Sequence, residues 1–400
     1  MSHVVNTDTM GRKENIHFIG GAIVDEYLWT TALEWNGYYK INVRTGYTEF
    51  LGLFDYADSL ADKLFSRVLV HNKFVFFVPW FFNYLVRVDT ETLDIRYWML
   101  PENITREIAK FRAAYIYNGR IVMFPHVGDD ICIFDIEKGE FKCCRNWIKE
   151  LDKYKLKNKE DKFLQGCQIG EIAYVANSSD GFIMKYNLHN DTYEIILFPE
   201  SEKAIFDVEK FDDNYLLILT AVGNVWKYNI ITHNRELIYQ YHGRTKNPYG
   251  HVIAEQNCFY LIPAKESNIK FFDGKKEIVV PYPDDWKLHY INVNIETVFN
   301  GYLRNKNEIL LYPCLGNKLL KIKPGQRTAL GLDIHENIED RAEGVRKRIL
   351  SSGMCTELLY EPKSNLDLYL SIVNGKGEKA ETTKHPKIIG LEIWDKMKGF

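Results

Sequence analysis

Ala113-Ala-Tyr-Ile-Tyr117, Asn118-Gly119, Arg120-Ile-Val-Met-Phe124, Asp130-Ile-Cys-Ile-Phe-Asp135, Glu137-Lys-Gly139 and Glu140-Phe-Lys-Cys143 follow one another near the middle of the chain's first half. Four short runs rich in Ile, Val, Tyr and Phe are separated by turn residues. Asn-Gly accepts positive φ and closes a two-residue hairpin. Glu-Lys-Gly makes a second turn. The stretch therefore reads as a four-stranded antiparallel meander.

The third run of this unit recurs along the chain. Gly37-Tyr-Tyr-Lys-Ile-Asn42, Tyr84-Leu-Val-Arg-Val-Asp89, Phe182-Ile-Met-Lys-Tyr-Asn187, Asn224-Val-Trp-Lys-Tyr-Asn229, Ser267-Asn-Ile-Lys-Phe-Phe-Asp273 and Lys318-Leu-Leu-Lys-Ile-Lys323 share its pattern. Their last residues step by 47, 46, 52, 42, 44 and 50. A period in the forties with four strands per unit predicts an all-β, seven-bladed β-propeller over 15–332. A β-sandwich is the competing reading, but sandwiches do not usually repeat a four-strand unit seven times. Six or eight blades stay open, because the first unit is weakly patterned. Prolines at 79, 125, 263 and 313 close second strands, as befits a residue without a ladder N–H. Residues 15–24 either begin blade one or close the ring on the last blade.

After 332 the apolar period lengthens. Ile338, Ala342, Val345 and Ile349 fall on one helical face, and so do Leu366, Tyr369, Leu370 and Val373. Pro386 fits the first turn of a last helix carrying Ile389, Ile393 and Trp394. Residues 333–400 are thus expected to be a small C-terminal helical appendage, with Ile338, Val345, Leu366, Leu370 and Ile393 buried. Residues 1–14 are polar and are read as a flexible N-terminus. The 52-residue step comes from a lysine-rich insertion, 147–163, where Trp147, Leu151 and Tyr154 allow a short rim helix.

Composition sets bounds on function. The 400 residues are 46% hydrophobic, so the chain can bury a large core. A net charge of −3 gives no global electrostatic case for nucleic acid or an anionic membrane. No stretch has the length and apolarity of a transmembrane helix. Seven cysteines, an odd number and without Cys-x-x-Cys, read as free thiols in a reducing, cytoplasmic setting. No leader pattern opens the chain, which agrees with that setting. The histidines lack metal-ligand spacing, and no phosphate loop or nucleophile elbow occurs, so neither a metal nor a cofactor is expected.

In a propeller, second-to-third-strand loops and blade-to-blade loops share the face around the central channel, and loops carry function. Candidate acid/base residues there are His126, His251, Asp130 and Asp285. Candidate ligand-binding residues are Trp80, Phe81, Phe82, Arg244, Lys246, Trp286 and His289. Aromatic faces stack on sugar C–H surfaces, and paired carboxylates could perform glycosidic acid/base work. His251 is singled out, because the entry of an innermost strand points its side chain at the channel.

The repeat over 15–330 resembles the broad bacterial β-propeller superfamily, with its kelch-like, quinoprotein-like and streptogramin-lyase-like members. It also looks like propellers of low-GC Gram-positive bacteria. The units lack the Trp-Asp ending of WD40 blades, the Gly-Gly pair of kelch blades and the tryptophan docking of quinoproteins. The resemblance therefore implies a fold and a channel-face site, and transfers no catalytic residue. Two readings stand beside each other. One is a binding or scaffold module that engages a protein or glycan through its loop face. The other is a lyase or hydrolase acting on a carbohydrate or small molecule at the channel mouth.

Overall fold

The computed structural model describes residues 17–336, apart from 34, 58–60, 155–161, 203, 288–297, 306–307, 315–317 and 326. The flexible N-terminus expected over 1–14, residues 337–400 of the helical appendage expected over 333–400, the buried positions expected on it, His289 and the central part of the lysine-rich insertion lie outside the described residues, and the described start of that appendage holds a short strand, His335–Glu336.

Seven four-stranded antiparallel sheets form a ring. Blade one holds β1 (Phe18–Val24), β2 (Tyr27–Ala32), β3 (Tyr38–Asn42) and β4 (Tyr47–Gly52). Blade two holds β5 (Phe65–His71), β6 (Phe74–Pro79), β7 (Tyr84–Asp89) and β8 (Ile95–Met99). Blade three holds β9 (Phe111–Tyr117), β10 (Arg120–Pro125), β11 (Ile131–Asp135) and β12 (Glu140–Cys144). Blade four holds β13 (Phe163–Ile169), β14 (Ile172–Asn177), β15 (Phe182–Asn187) and β16 (Tyr193–Leu197). Blade five holds β17 (Ile205–Lys210), β18 (Tyr215–Thr220), β19 (Val225–Asn229) and β20 (Arg235–Tyr239). Blade six holds β21 (Tyr249–Glu255), β22 (Cys258–Pro263), β23 (Ile269–Phe272) and β24 (Glu277–Val280). Blade seven holds β25 (Phe299–Asn305), β26 (Glu308–Pro313), β27 (Leu319–Ile322) and β28 (Ala329–Leu332).

All seven third strands lie where the repeat places them, so the fold is a seven-bladed β-propeller. The Asn118-Gly119 turn has φ of 45° and 72°, the positive pair that a tight hairpin needs. Second strands are almost wholly buried because both of their faces pack against neighbouring blades. Between blades one and two, Phe54, Phe65 and Phe77 meet with centroids 4.6–5.6 Å apart.

β1 begins blade one as its innermost strand and touches β25 across the seam. The ring is clasped further out. β29 (His335–Glu336) leaves the last blade and pairs in parallel with Tyr47-Thr48 on the outer edge of blade one. That pairing covers an edge that would otherwise lie open. Gly46 makes the approach feasible: at φ +77° its missing Cβ would sit 1.8 Å from the Asp333 carbonyl oxygen.

The start of the insertion folds as α2 (Ile148–Lys153), the short rim helix that Trp147 and Leu151 anchor in the core between blades three and four. A shorter helix, α1 (Glu102–Thr105), joins blades two and three and buries Ile104. No helix of the described residues is long and apolar enough to cross a membrane.

Candidate functional site

Every innermost strand opens with a large apolar residue: Phe18, Phe65, Phe111, Phe163, Ile205, Tyr249 and Phe299. All seven are buried between blades. Just after each of them the pairing with the second strand slips by a residue. Such a bulge leaves a residue outside the ladder and re-aims it. The residues so placed are Ile19, Ser66, Arg112, Leu164, Phe206, Gly250 and Asn300, and each lines one cavity at the channel mouth. Gly166 belongs to the same device, since a Cβ there would meet the Tyr174 carbonyl oxygen at 1.9 Å.

The cavity holds about 180 Å³ and also touches Arg67, Gln165, His251, Ala264 and Phe299. Arg67 donates from Nε to the Arg112 carbonyl at 3.0 Å and from Nη2 to Gln165 Oε1 at 2.6 Å. The Gln165 side-chain amide meets His251 Nδ1. Nδ1 lies 3.6 Å from Asp207 Oδ2. Asp207 is fixed by the backbone N–H groups of Val208 and Val252, at 2.9 and 3.1 Å. A polar chain thus crosses the channel through blades two, four, six and five. Below it the His251 ring meets Tyr302 edge-on at 5.6 Å, and Tyr302 donates to Glu209 at 2.6 Å. Burial pushes the Glu209 carboxyl above its ordinary value, against the opposing pull of Arg304.

The rim is asymmetric. Ile19, Leu33, Trp80, Ala109 and Cys314 form an apolar cluster on one side. The Arg112 guanidinium lies 4.4 Å from the Trp80 ring centroid. His126 sits in the ring of loops, its backbone N–H donating to the Lys110 carbonyl at 2.7 Å. Burial, with Arg112 and Lys162 nearby, pulls its pKa down to about 3, so it is a neutral imidazole near pH 7. Lys162 is buried and reaches Asp129 Oδ1 at 3.1 Å, so this lysine of the insertion is a structural cation. No gathering of three or more metal-ligating side chains occurs among the described residues.

His251 lines the cavity, and His126 is not among the lining residues but lies in the loop ring, its ring 6.2 Å from that of Trp80. Asp130 is set apart, accepting from Asn103 at 2.9 Å. Asp285 is exposed and pairs with Lys318, which holds its carboxyl below the ordinary range. Phe81 is exposed, whereas Trp80 is buried on the rim and Phe82 packs into the core against Phe65. Arg244 and Lys246 are exposed on the loop leading into β21. Trp286 stacks on Tyr282 and on Phe299, at 5.2 and 5.7 Å, and so packs against the core between blades six and seven, outside the cavity lining. Sequence reasoning passed over Ser66, Arg67, Arg112, Gln165, Asp207 and Asn300. The signal for them was positional: each lies one or two places after a strand-opening apolar residue.

Neither a family model nor a curated protein matches the chain. Among solved structures the chain is similar to a catalytically inactive virginiamycin B lyase from Staphylococcus aureus with Quinupristin. The identity is 13% and the TM-score 0.58, over 78% of this chain and 96% of that one. The computationally designed Ika8 protein is similar at 12% identity and TM-score 0.52, over 80% of this chain and 87% of that one. The RRP9 WD40 repeats are similar at 7% identity and TM-score 0.52, over 77% and 89%. At such identities the likeness establishes a shared propeller fold.

Proposed function

We propose that this propeller is a binding module that takes the acidic group of a small organic ligand, or of a glycan's end, in its channel mouth. The cavity carries this reading: two arginines, Arg67 and Arg112, line it with Ser66, Gln165, His251 and Asn300, and no carboxylate lies among the lining residues. A planar guanidinium suits a carboxylate or phosphate oxygen pair. Ser66 Oγ is buried at the wall without a hydrogen-bond partner, which marks an unfilled polar position. Ile19, Leu164, Phe206 and Phe299 give the apolar remainder that small-ligand sites use. The loop face is then where a larger glycan or a protein partner would rest. A reducing, cytoplasmic setting suits the cysteine usage, since the described cysteines are free thiols.

Titration calorimetry with uronic acids, sugar phosphates and their neutral counterparts tests the reading. Acidic members should bind, neutral ones should not, and Arg112→Gln should weaken binding by at least about tenfold, as loss of a charge-assisted contact does. Equal binding of neutral sugars, or none of either, would reject it.

A second reading has its own observation. His251 Nδ1 faces Asp207 and Gln165, the kind of arrangement that orients an imidazole for acid/base work. If the site is a lyase or hydrolase, a bound ligand should be converted, and His251→Gln should abolish conversion while binding persists.

A further inference from the structure

Cys132 on β11 and Cys143 on β12 stand directly opposite each other in the antiparallel register of blade three. Their sulfurs are 3.7 Å apart. We propose that this pair is a site of reversible oxidation, which a hydroperoxide converts to a cross-strand disulfide.

The geometry supplies the main requirement. Opposed antiparallel residues hold their Cβ atoms ~4.5–5.5 Å apart, and a disulfide needs ~3.5–4.5 Å, so a small closing of two outer strands suffices. The chain around the pair differs in a useful way. Cys132 is fully buried, between Phe76, Phe134 and the other apolar residues that join blades two and three. Cys143 is half-buried on the outermost strand. The neighbouring Cys144 is opposite Ile131, so the alternation of the strand turns it to the other face. The Cys132 thiol and the Asn103 amide favour the Cys143 thiolate, while the contact with Cys143, and then burial, raise Cys132.

The reaction balances. The Cys143 thiolate attacks a peroxide oxygen, the O–O bond breaks, and the departing oxygen takes a proton to leave as water or an alcohol. Cys143 is then a sulfenic acid. The Cys132 sulfur attacks Cys143 Sγ, Cys132 gives up its proton, and the S–OH bond breaks to release water. The two sulfurs lose two electrons, and the peroxide gains them. A thiol reductant reverses the step by exchange.

Asn103 links this chemistry to the loop face, because it also donates to Asp130 Oδ2 at 2.9 Å. Drawing Cys143 inward removes a partner from the Asn103 side chain beside that carboxylate.

The test treats the folded full-length chain with hydrogen peroxide, blocks remaining thiols, and digests with trypsin. The expected product joins the peptide 121–138 to 143–145, with a mass lower than the reduced pair by two hydrogens. Cys143→Ser should abolish the linked product, Cys144→Ser should retain it, and dithiothreitol should restore both thiols. A link between Cys143 and Cys144, sulfinic acid at Cys143 with Cys132 still alkylatable after unfolding, or no loss of either thiol would each overturn the proposal.

Discussion

Two neighbouring positions on each innermost strand obey opposite rules. The strand-opening position is Phe, Phe, Phe, Phe, Ile, Tyr and Phe around the ring. The next position, where the ladder slips, is Ile, Ser, Arg, Leu, Phe, Gly and Asn, with no residue type used twice. The first set wedges between blades, where every blade poses the same packing problem and accepts the same answer. The second set faces a shared space, where seven equal residues would build a symmetric plug. Unlike residues instead give the mouth a charged side and an apolar side. Repetition thus marks the scaffold, and its failure at a repeated position marks the lining of the cavity.

The strongest challenge to that contrast is a cut at the scaffold position. Phe65 sits among Phe54, Phe77 and Phe82, with centroids 4.6–5.6 Å away. Phe65→Ala should cost about 3–5 kcal/mol, because removal of a buried aromatic leaves a cavity that its neighbours fill only in part. Denaturant unfolding followed by tryptophan fluorescence measures it. A loss under ~1 kcal/mol would mean that the opening aromatics do not hold the blades together.

The seam offers the next test. Gly46→Ala puts a Cβ into the Asp333 carbonyl at a residue with φ +77°. The His335 N–H bond to the Gly46 carbonyl, 2.9 Å long, should be lost with it. A destabilisation of about 1–3 kcal/mol is expected, with faster amide exchange at His335. Unchanged exchange would show that the ring closes through β1 and β25 without the clasp.

The fold was legible because each cue is local. A β-prone run and a turn dipeptide repeat within about a dozen residues, and the repeat needs no knowledge of what packs on what. Asn118-Gly119 and Pro125 do their work in place. The site was legible only in part. Of the residues named from the sequence, His251 lines the cavity, and it stands out by type as it enters an inner strand. Arg67, Arg112, Gln165 and Asp207 do not, since a search for sameness passes over positions where the units differ. Their meeting depends on seven ladder slips and on contacts such as Arg67 to Gln165, nearly a hundred residues apart in the chain. Phe82 and Lys162 show the converse, since a loop address does not separate a core aromatic or a structural cation from a ligand contact.

Acid should expose the mouth's electrostatics. His126 has a folded pKa of about 3 against an ordinary 6.5, so the native fold binds fewer protons than the unfolded chain between those values. Its contribution to stability is therefore complete above about pH 6.5 and is lost as pH falls toward 3. The slope it adds is about 1.4 kcal/mol per pH unit within that window. His126→Gln should flatten the pH dependence of unfolding free energy there by up to that amount. An unaltered slope would place the acid sensitivity elsewhere and mean that burial, with Arg112 and Lys162 nearby, does not hold this ring neutral.

The smallest effect on stability is the sharpest test of the contrast. Gly250 is the slipped residue of blade six, next to the buried Tyr249. A Cβ built on it meets only the Ala264 Cβ, at 3.6 Å, an ordinary contact. Gly250→Ala should therefore change unfolding free energy by no more than about 0.5 kcal/mol, as surface-like substitutions do. The same methyl group enters a cavity of about 180 Å³ beside His251. Calorimetry with an acidic sugar should then register weaker binding in a protein of unchanged stability. A stability loss approaching that of Phe65→Ala would erase the distinction between adjacent positions, because the slipped residues would then be part of the packing. Unchanged stability with unchanged binding would keep the distinction and move the ligand away from blade six, toward the Arg67 and Arg112 side of the mouth.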